Sequence, residues 1–130
     1  MDFANLRKNM VESQIRTCKV NDDHIIEAFL KTPRELFVPP LKRDFCYTDR
    51  EIKIARNRYL MEPMVLARMI QALDLDADDV VLDIGCASGY SSAVLARLTT
   101  AVVAVECDNS LAREATTNFA VNGVDNVVVV

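Results

Sequence analysis

Apolar positions in the first part of the chain recur at helical spacing. Phe3, Leu6, Met10 and Ile15, set among Arg7, Lys8, Glu12 and Arg16, predict an amphipathic helix over residues 2–17. Val20-Asn21-Asp22 interrupts it. Asn21 or Asp22 can cap a second short helix that carries Ile25, Ile26, Phe29 and Leu30 and stops at Pro33. Residues 33–61 contain Pro33, Pro39 and Pro40 and show no long period, which predicts an extended connector with short strands near Phe45–Tyr47 and Glu51–Ile54. Glu62-Pro63 suits a helix start. Met64, Val65, Ala67, Met69, Ile70 and Leu73 then continue as a wide apolar face up to an aspartate-rich loop.

From Val80 onward the periodicity changes. Val80–Ile84 and Ala101–Val105 are short, nearly all-apolar runs that read as strands, and Asn126–Val130 reads as a third. Between them, Tyr90–Leu98 and Asn109–Val121 read as helices, with Gly123 as a cap. Strands apolar on both faces that alternate with helices imply a parallel sheet covered by helices. The expected class is therefore α/β: a partial doubly wound, Rossmann-like β-α-β-α-β sheet preceded by N-terminal helices. We divide the chain into an N-terminal helical and extended segment, residues 1–61, and the first half of a nucleotide-binding domain, residues 62–130.

Composition narrows the class further. The chain has 130 residues, is 51% hydrophobic and 26% charged, and contains three Gly and four Pro, which excludes disordered and collagen-like chains. No apolar run approaches the roughly 20 residues that span a bilayer, and charges interrupt the start of the chain where a signal peptide needs an apolar block. A cytoplasmic location is the simplest expectation. Cys18, Cys46, Cys86 and Cys107 form no C-x-x-C pair, so neither zinc nor a disulfide framework is indicated. A net charge of −4 gives no general attraction to nucleic acid or anionic lipid.

The segment Asp83-Ile84-Gly85-Cys86-Ala87-Ser88-Gly89-Tyr90 lies between an apolar strand and a helix, where backbone amides are exposed and the helix start carries partial positive charge. Gly85 permits a sharp bend, and Gly89 lets the helix begin tight against a ligand. Glu106 ends the following strand, where a carboxylate can accept hydrogen bonds from both hydroxyls of a ribose. A dinucleotide reading is weakened by Ala87 and Tyr90, which stand where the G-x-G-x-x-G pattern needs small residues. The D-I-G-x-x-x-G string is instead similar to motif I of class I S-adenosylmethionine-dependent methyltransferases. That resemblance implies Asp83, Gly85, Cys86, Ala87, Ser88 and Gly89 near the methionine end of the cofactor, with Tyr90 beside them. It implies Glu106 and Cys107 near ribose and adenine.

A narrower resemblance lies upstream. Thr32-Pro33-Arg34-Glu35-Leu36-Phe37-Val38-Pro39 resembles the V-P-R-x-x-F-V-P stretch of protein-L-isoaspartate O-methyltransferases, Tyr47-x-Asp49 resembles their A-Y-x-D, and Gly89–Ala96 resembles their G-Y-x-x-A-V-L-A helix. The resemblance implies S-adenosylmethionine as cofactor, methyl transfer to an isoaspartyl carboxylate of damaged protein, and no metal. A carboxylate is already ionised at neutral pH, so the reaction asks for positioning rather than a strong base. No catalytic residue is assigned.

One departure stands out. Where that family reads approximately G-x-G-Q-T-I-S-x-P, this chain reads Ala55-Arg56-Asn57-Arg58-Tyr59-Leu60-Met61-Glu62-Pro63, with Met61 in place of the acceptor-site serine. A thioether cannot donate a hydrogen bond to a carboxylate. Arg58, Tyr59 and Met61 are thus the substrate-adjacent candidates, with Arg56 a further cation for an anionic acceptor or a solvated charge. The alternative is a non-catalytic module that binds the cofactor or a protein partner. His24, the sole histidine, reads as a surface or packing residue, and Cys86 and Cys107 as small hydrophobes. Because Val127–Val130 is an apolar run, we expect an N-terminal part of a larger enzyme whose first strand has an unpaired edge, shielded by self-association, domain swapping or the N-terminal helices.

Overall fold

The computed structural model describes residues 1–130, which form two compact units, residues 1–74 and 75–130. In the first unit α1 (Phe3–Met10) is capped by Asp2, whose carboxylate accepts from the Asn5 amide at 3.1 Å. The helical path then widens into a π turn over Val11–Ile15 and tightens into a 3₁₀ turn over Arg16–Cys18, ending at left-handed Lys19. The single helix read over residues 2–17 is thus one run that changes pitch twice. Of the two expected caps for α2 (Asp23–Lys31), Asp22 serves, accepting from the His24 and Ile25 amides at 2.9 and 3.2 Å. Ile25, Ile26 and Phe29 are buried on its inner face.

The connector is more compact than its prolines suggested. Two 3₁₀ turns, Arg34–Phe37 and Pro40–Phe45, occupy most of it, so the strand expected near Phe45–Tyr47 is absent. Pro40 opens the second turn, where its fixed φ and missing N–H are no handicap. The strand expected at residues 51–54 is β1 (Ile52–Ala55), and it pairs antiparallel with an unforeseen β2 (Arg58–Leu60) through a turn that Asn57 closes at φ 57°. Asn is one of the few side chains that tolerate this region, so Asn57 is the residue that marks the hairpin turn in the sequence. α3 (Pro63–Leu73) starts with proline in its first turn, and its Arg68 and Gln71 donate to the carbonyls of Cys18 and Lys19 at 3.4 and 3.1 Å. The sequence-based division at 61/62 and the structural one at 74/75 therefore differ by α3, which docks on the N-terminal helical run.

The second unit follows the sequence pattern closely. β3 (Val80–Ile84), β4 (Ala101–Val105) and β5 (Val127–Val129) form a parallel sheet in the order β3-β4-β5. α4 (Tyr90–Ala96) and α5 (Asn109–Val121) are its crossovers, α5 being capped by Asp108. Successive right-handed crossovers made in one direction put both helices on the same face. Val102 and Ala104 are fully buried on that face, whereas Val80, Leu82 and Ile84 are 64%, 59% and 75% exposed on the other. The β-α-β-α-β arrangement expected from the sequence is thus present, with both crossover helices of this unit on one face of the sheet. No helix is long and apolar enough to cross a membrane.

Candidate functional site

The Gly85–Gly89 turn is held by backbone hydrogen bonds to the end of the next strand together with side-chain bonds from Glu106 and Asn118. The carbonyl of Val105, at the end of β4, accepts from the Gly85 and Cys86 amides at 2.7 and 3.1 Å. Ala87 donates its N–H to Glu106 Oε1 at 2.8 Å, and the Asp108 amide donates to Oε2 at 2.9 Å. Glu106 is only 5% exposed. Its carboxylate therefore faces the turn and organises it, a role the spacing argument did not include. On the far side Nδ2 of the Asn118 side chain in α5 donates to the Ser88 carbonyl at 2.9 Å. Three residues of the turn lie in the left-handed region: Gly85 (φ 79°), Ala87 (φ 55°) and Gly89 (φ 102°).

The two glycines serve different purposes. A Cβ built on Gly85 would meet nothing within 4 Å, whereas one built on Gly89 would sit 2.7 Å from the Phe119 ring. Gly89, expected to let the helix begin tight against a ligand, also leaves the space that the Phe119 ring of α5 occupies. Asp83, at the end of β3, accepts from the Ser91 and Ser92 hydroxyls at 2.6 and 2.7 Å and so ties the strand to the first turn of α4. Cys86, Ala87, Ser88 and Tyr90 are buried, and Cys107 is exposed. The turn residues Asp83–Tyr90 and Glu106 thus come together. Asn118, Phe119, Ser91 and Ser92 were missed. Only the serine pair left a sequence signal, as hydroxyls in the first turn of the helix that follows a strand-end acid.

The substrate-adjacent candidates lie in the first unit. Tyr59 and Met61 are 48% and 38% exposed on β2 and just beyond it, and Arg58 is partly buried opposite Ala55. The segment is anchored by Arg34, which is fully buried and donates from Nε to the Cys46 carbonyl at 2.7 Å and from Nη2 to the Met61 carbonyl at 3.1 Å. Beside it Arg7 reaches Glu35 Oε1 at 3.0 Å and the Tyr47 hydroxyl at 2.9 Å, while the Tyr47 hydroxyl donates to Glu35 Oε2. Burial, reinforced by the bond to Glu35, raises the Tyr47 phenol far above its ordinary range. Sequence reading did not find this triad, because its members lie far apart in the chain.

The family model described as Protein-L-isoaspartate(D-aspartate) O-methyltransferase matches residues 5–130. The chain belongs to this family. A protein-L-isoaspartate O-methyltransferase of Roseiflexus castenholzii is 39% identical over 129 residues, covering 99% of this chain and 59% of that protein. One of Methanoculleus marisnigri is 39% identical over 124 residues, covering 95% and 56%. The chain thus spans less than two-thirds of the length of these relatives. Among solved structures, a protein-L-isoaspartate O-methyltransferase superposes with a TM-score of 0.82 at 30% identity, over 95% of this chain and 41% of that one. A Plasmodium falciparum protein described as a putative protein-L-isoaspartate O-methyltransferase, solved with S-adenosyl-L-homocysteine, gives 0.77 at 17% identity over 100% and 62%, a likeness of fold alone. The α/β class read from the strand and helix pattern is the fold of this family.

Proposed function

We propose that the chain carries the cofactor-binding part of an S-adenosylmethionine-dependent methyltransferase acting on the isoaspartyl carboxylate of damaged protein. The observation that carries this reading, beside family membership, is the Glu106 carboxylate held against the Ala87 amide at 2.8 Å, which joins the glycine turn to the neighbouring strand end. The residues fit an adenosyl sulfonium compound. Space beside Gly85 leaves its backbone open to close approach. The Glu106 carboxylate, which accepts from the Ala87 and Asp108 amides, is the acceptor at the strand end that ribose hydroxyls would share.

When bound, S-adenosylmethionine supplies a methyl group made electrophilic by sulfonium charge. This chain's part is to hold and orient. The buried backbone of Cys86–Tyr90 packs the turn away from water, where fixed dipoles act more strongly. Asp83, tied to Ser91 and Ser92, fixes where the strand hands over to the helix. No residue needs to act as a strong base, since the acceptor carboxylate is ionised at neutral pH. Met61 has no proton to donate, so the acceptor is oriented by other groups than the hydroxyl that the resemblance implies at this position.

Calorimetry with S-adenosylhomocysteine and with NAD tests the reading: binding of the first and not of the second is expected. Glu106→Gln replaces one acceptor oxygen with an NH₂ that faces a backbone N–H, and should weaken S-adenosylhomocysteine binding by about 1 to 3 kcal/mol. Unchanged affinity would remove Glu106 from the site. Methyl transfer to an isoaspartyl peptide by the full-length protein tests the acceptor, and tight cofactor binding without transfer would refute it. Contact between copies along the β3 edge is proposed from the strand order β3-β4-β5, in which β3 has a strand neighbour on one side only, with sedimentation at rising concentration as its check. A cytoplasmic location is proposed from four cysteines that form no disulfide.

A further inference from the structure

Residues 50–59 carry four cations, Arg50, Lys53, Arg56 and Arg58, against the single carboxylate Glu51, in a chain whose net charge is −4. Lys53 and Arg56 lie on the exposed side of the β1–β2 hairpin with Arg50 just before β1, while Arg58 is partly buried and engaged within the protein. Ile52 and Leu60 face each other across the pair and are buried, so strand alternation sends the next pair, Lys53 and Tyr59, outward. Met61, two residues past Tyr59, is exposed beside them. Arg50, Lys53 and Arg56 are all exposed, and the ion pairs of this unit, Arg7–Glu35, Arg16–Glu12 and Lys31–Glu27, leave them out. The frame beneath is fixed: Lys42 Nζ donates to the Lys53 carbonyl at 2.6 Å and Arg34 to that of Met61.

We infer that this outward face of the hairpin is a docking surface for acidic, extended polypeptide, so that the protein favours acceptor carboxylates embedded among aspartates and glutamates. The inference deepens the proposed function and rests on its premise that the substrate is a polypeptide. Exposed cations with no partner carboxylate attract anions over about a Debye length, about 10 Å at moderate salt. Guanidinium groups pair with carboxylates in a bidentate fork. Tyr59 and Met61 add an aromatic face and an adaptable thioether beside the charges, the mixture that suits peptide side chains. The rest of the chain is acidic and opposes a long polyanion, which favours protein over nucleic acid.

The test is fluorescence anisotropy of the full-length protein with two labelled peptides of equal length around one isoaspartyl residue, one flanked by glutamates and one by lysines. The glutamate peptide should bind at least about fivefold more tightly at low salt, with the advantage shrinking as salt rises. Lys53→Glu with Arg56→Glu should reverse the preference, Lys53→Arg with Arg56→Lys should keep it, and S-adenosylhomocysteine binding should be the same in all. Equal affinity for the two peptides would overturn the inference. So would a preference that survives charge reversal, or an oligonucleotide of matched charge that competes as well as the glutamate peptide. Absence of S-adenosylhomocysteine binding would count against the cofactor reading and leave the peptide comparison to stand or fall by itself.

Discussion

The two units are held in contrasting ways. In residues 75–130 the glycine turn rests on backbone groups of neighbouring elements, as where the Val105 carbonyl takes the Gly85 and Cys86 amides, with side chains close in the fold such as Glu106 and Asp83 adding to them. In residues 1–74 the decisive bonds run between side chains distant in sequence, Arg7 with Glu35 and Tyr47, and from Arg34 to the carbonyls of Cys46 and Met61. A backbone-built turn depends on which residues tolerate its φ angles. A side-chain-built one depends on every partner being present, since a buried charge left alone is costly. The first unit should therefore break at single polar substitutions and the second at single additions of a methyl group.

The largest effect is expected at Glu35. Glu35→Ala strips Arg7 of its carboxylate and Tyr47 of its acceptor in a site where Glu35 is almost buried, and should cost about 3 to 5 kcal/mol, read as a drop in the urea midpoint. A loss below about 1 kcal/mol would mean the triad behaves as a surface pair and the contrast fails. Next come the glycines. Gly89→Ala combines a strained φ of 102° with a clash against Phe119, at about 3 kcal/mol, and Phe119→Leu in the same chain should recover part of it. Gly85→Ala meets open space and should show only the backbone strain, about 1 kcal/mol. Equal costs at the two glycines would refute the packing role of Gly89.

The same contrast explains what could be read from the sequence. β3, β4 and α5 fall where periodicity puts them, because local apolar pattern and the residues of the turn are enough to define a β-α-β unit. The glycine turn and Glu106 were legible as a site for the same reason. Glu106's bond to Ala87 was not, since it depends on how β4 ends in space. In the first unit the π and 3₁₀ turns arise from tertiary packing that pattern does not encode, and the Arg7–Glu35–Tyr47 triad closes over 28 and 40 residues of chain. The basic hairpin lay between: its charges were visible, its strand pairing was not.

A pH titration sharpens the comparison at smaller amplitude. Burial pushes the Cys46 thiol up from 9.0 to about 11, with Arg34 pulling the other way, and burial with the Glu35 bond raises Tyr47 from 10.0. Both groups are neutral when protonated, and both hold their protons more tightly when folded. Their contribution is therefore complete below the unfolded values and is lost as pH rises through the folded ones. Urea midpoints should begin to fall near pH 9 from Cys46 and more steeply above about pH 10 as Tyr47 joins, each group adding a slope of about 1.4 kcal/mol per pH unit. Cys46→Ala should delay the onset to the Tyr47 range. An unchanged onset would show that the thiol is not the group responsible.

The smallest effect is expected at Ala87, the one non-glycine residue of the turn held at positive φ. Its N–H must point at Glu106 for the carboxylate to be shared between turn and helix start, so the backbone keeps φ 55° despite the methyl group. Left-handed geometry costs an alanine about 1 to 2 kcal/mol, and glycine gives back about 0.5 to 1 kcal/mol through the freedom it gains in the unfolded chain. Ala87→Gly should therefore stabilise by about 0.5 kcal/mol, measured as a higher urea midpoint at constant slope. A loss of stability would mean that the buried methyl contributes more by packing than its backbone angle costs. The turn would then be held by side-chain contact in the manner of the first unit, and the distinction between the two units would narrow to the glycines alone.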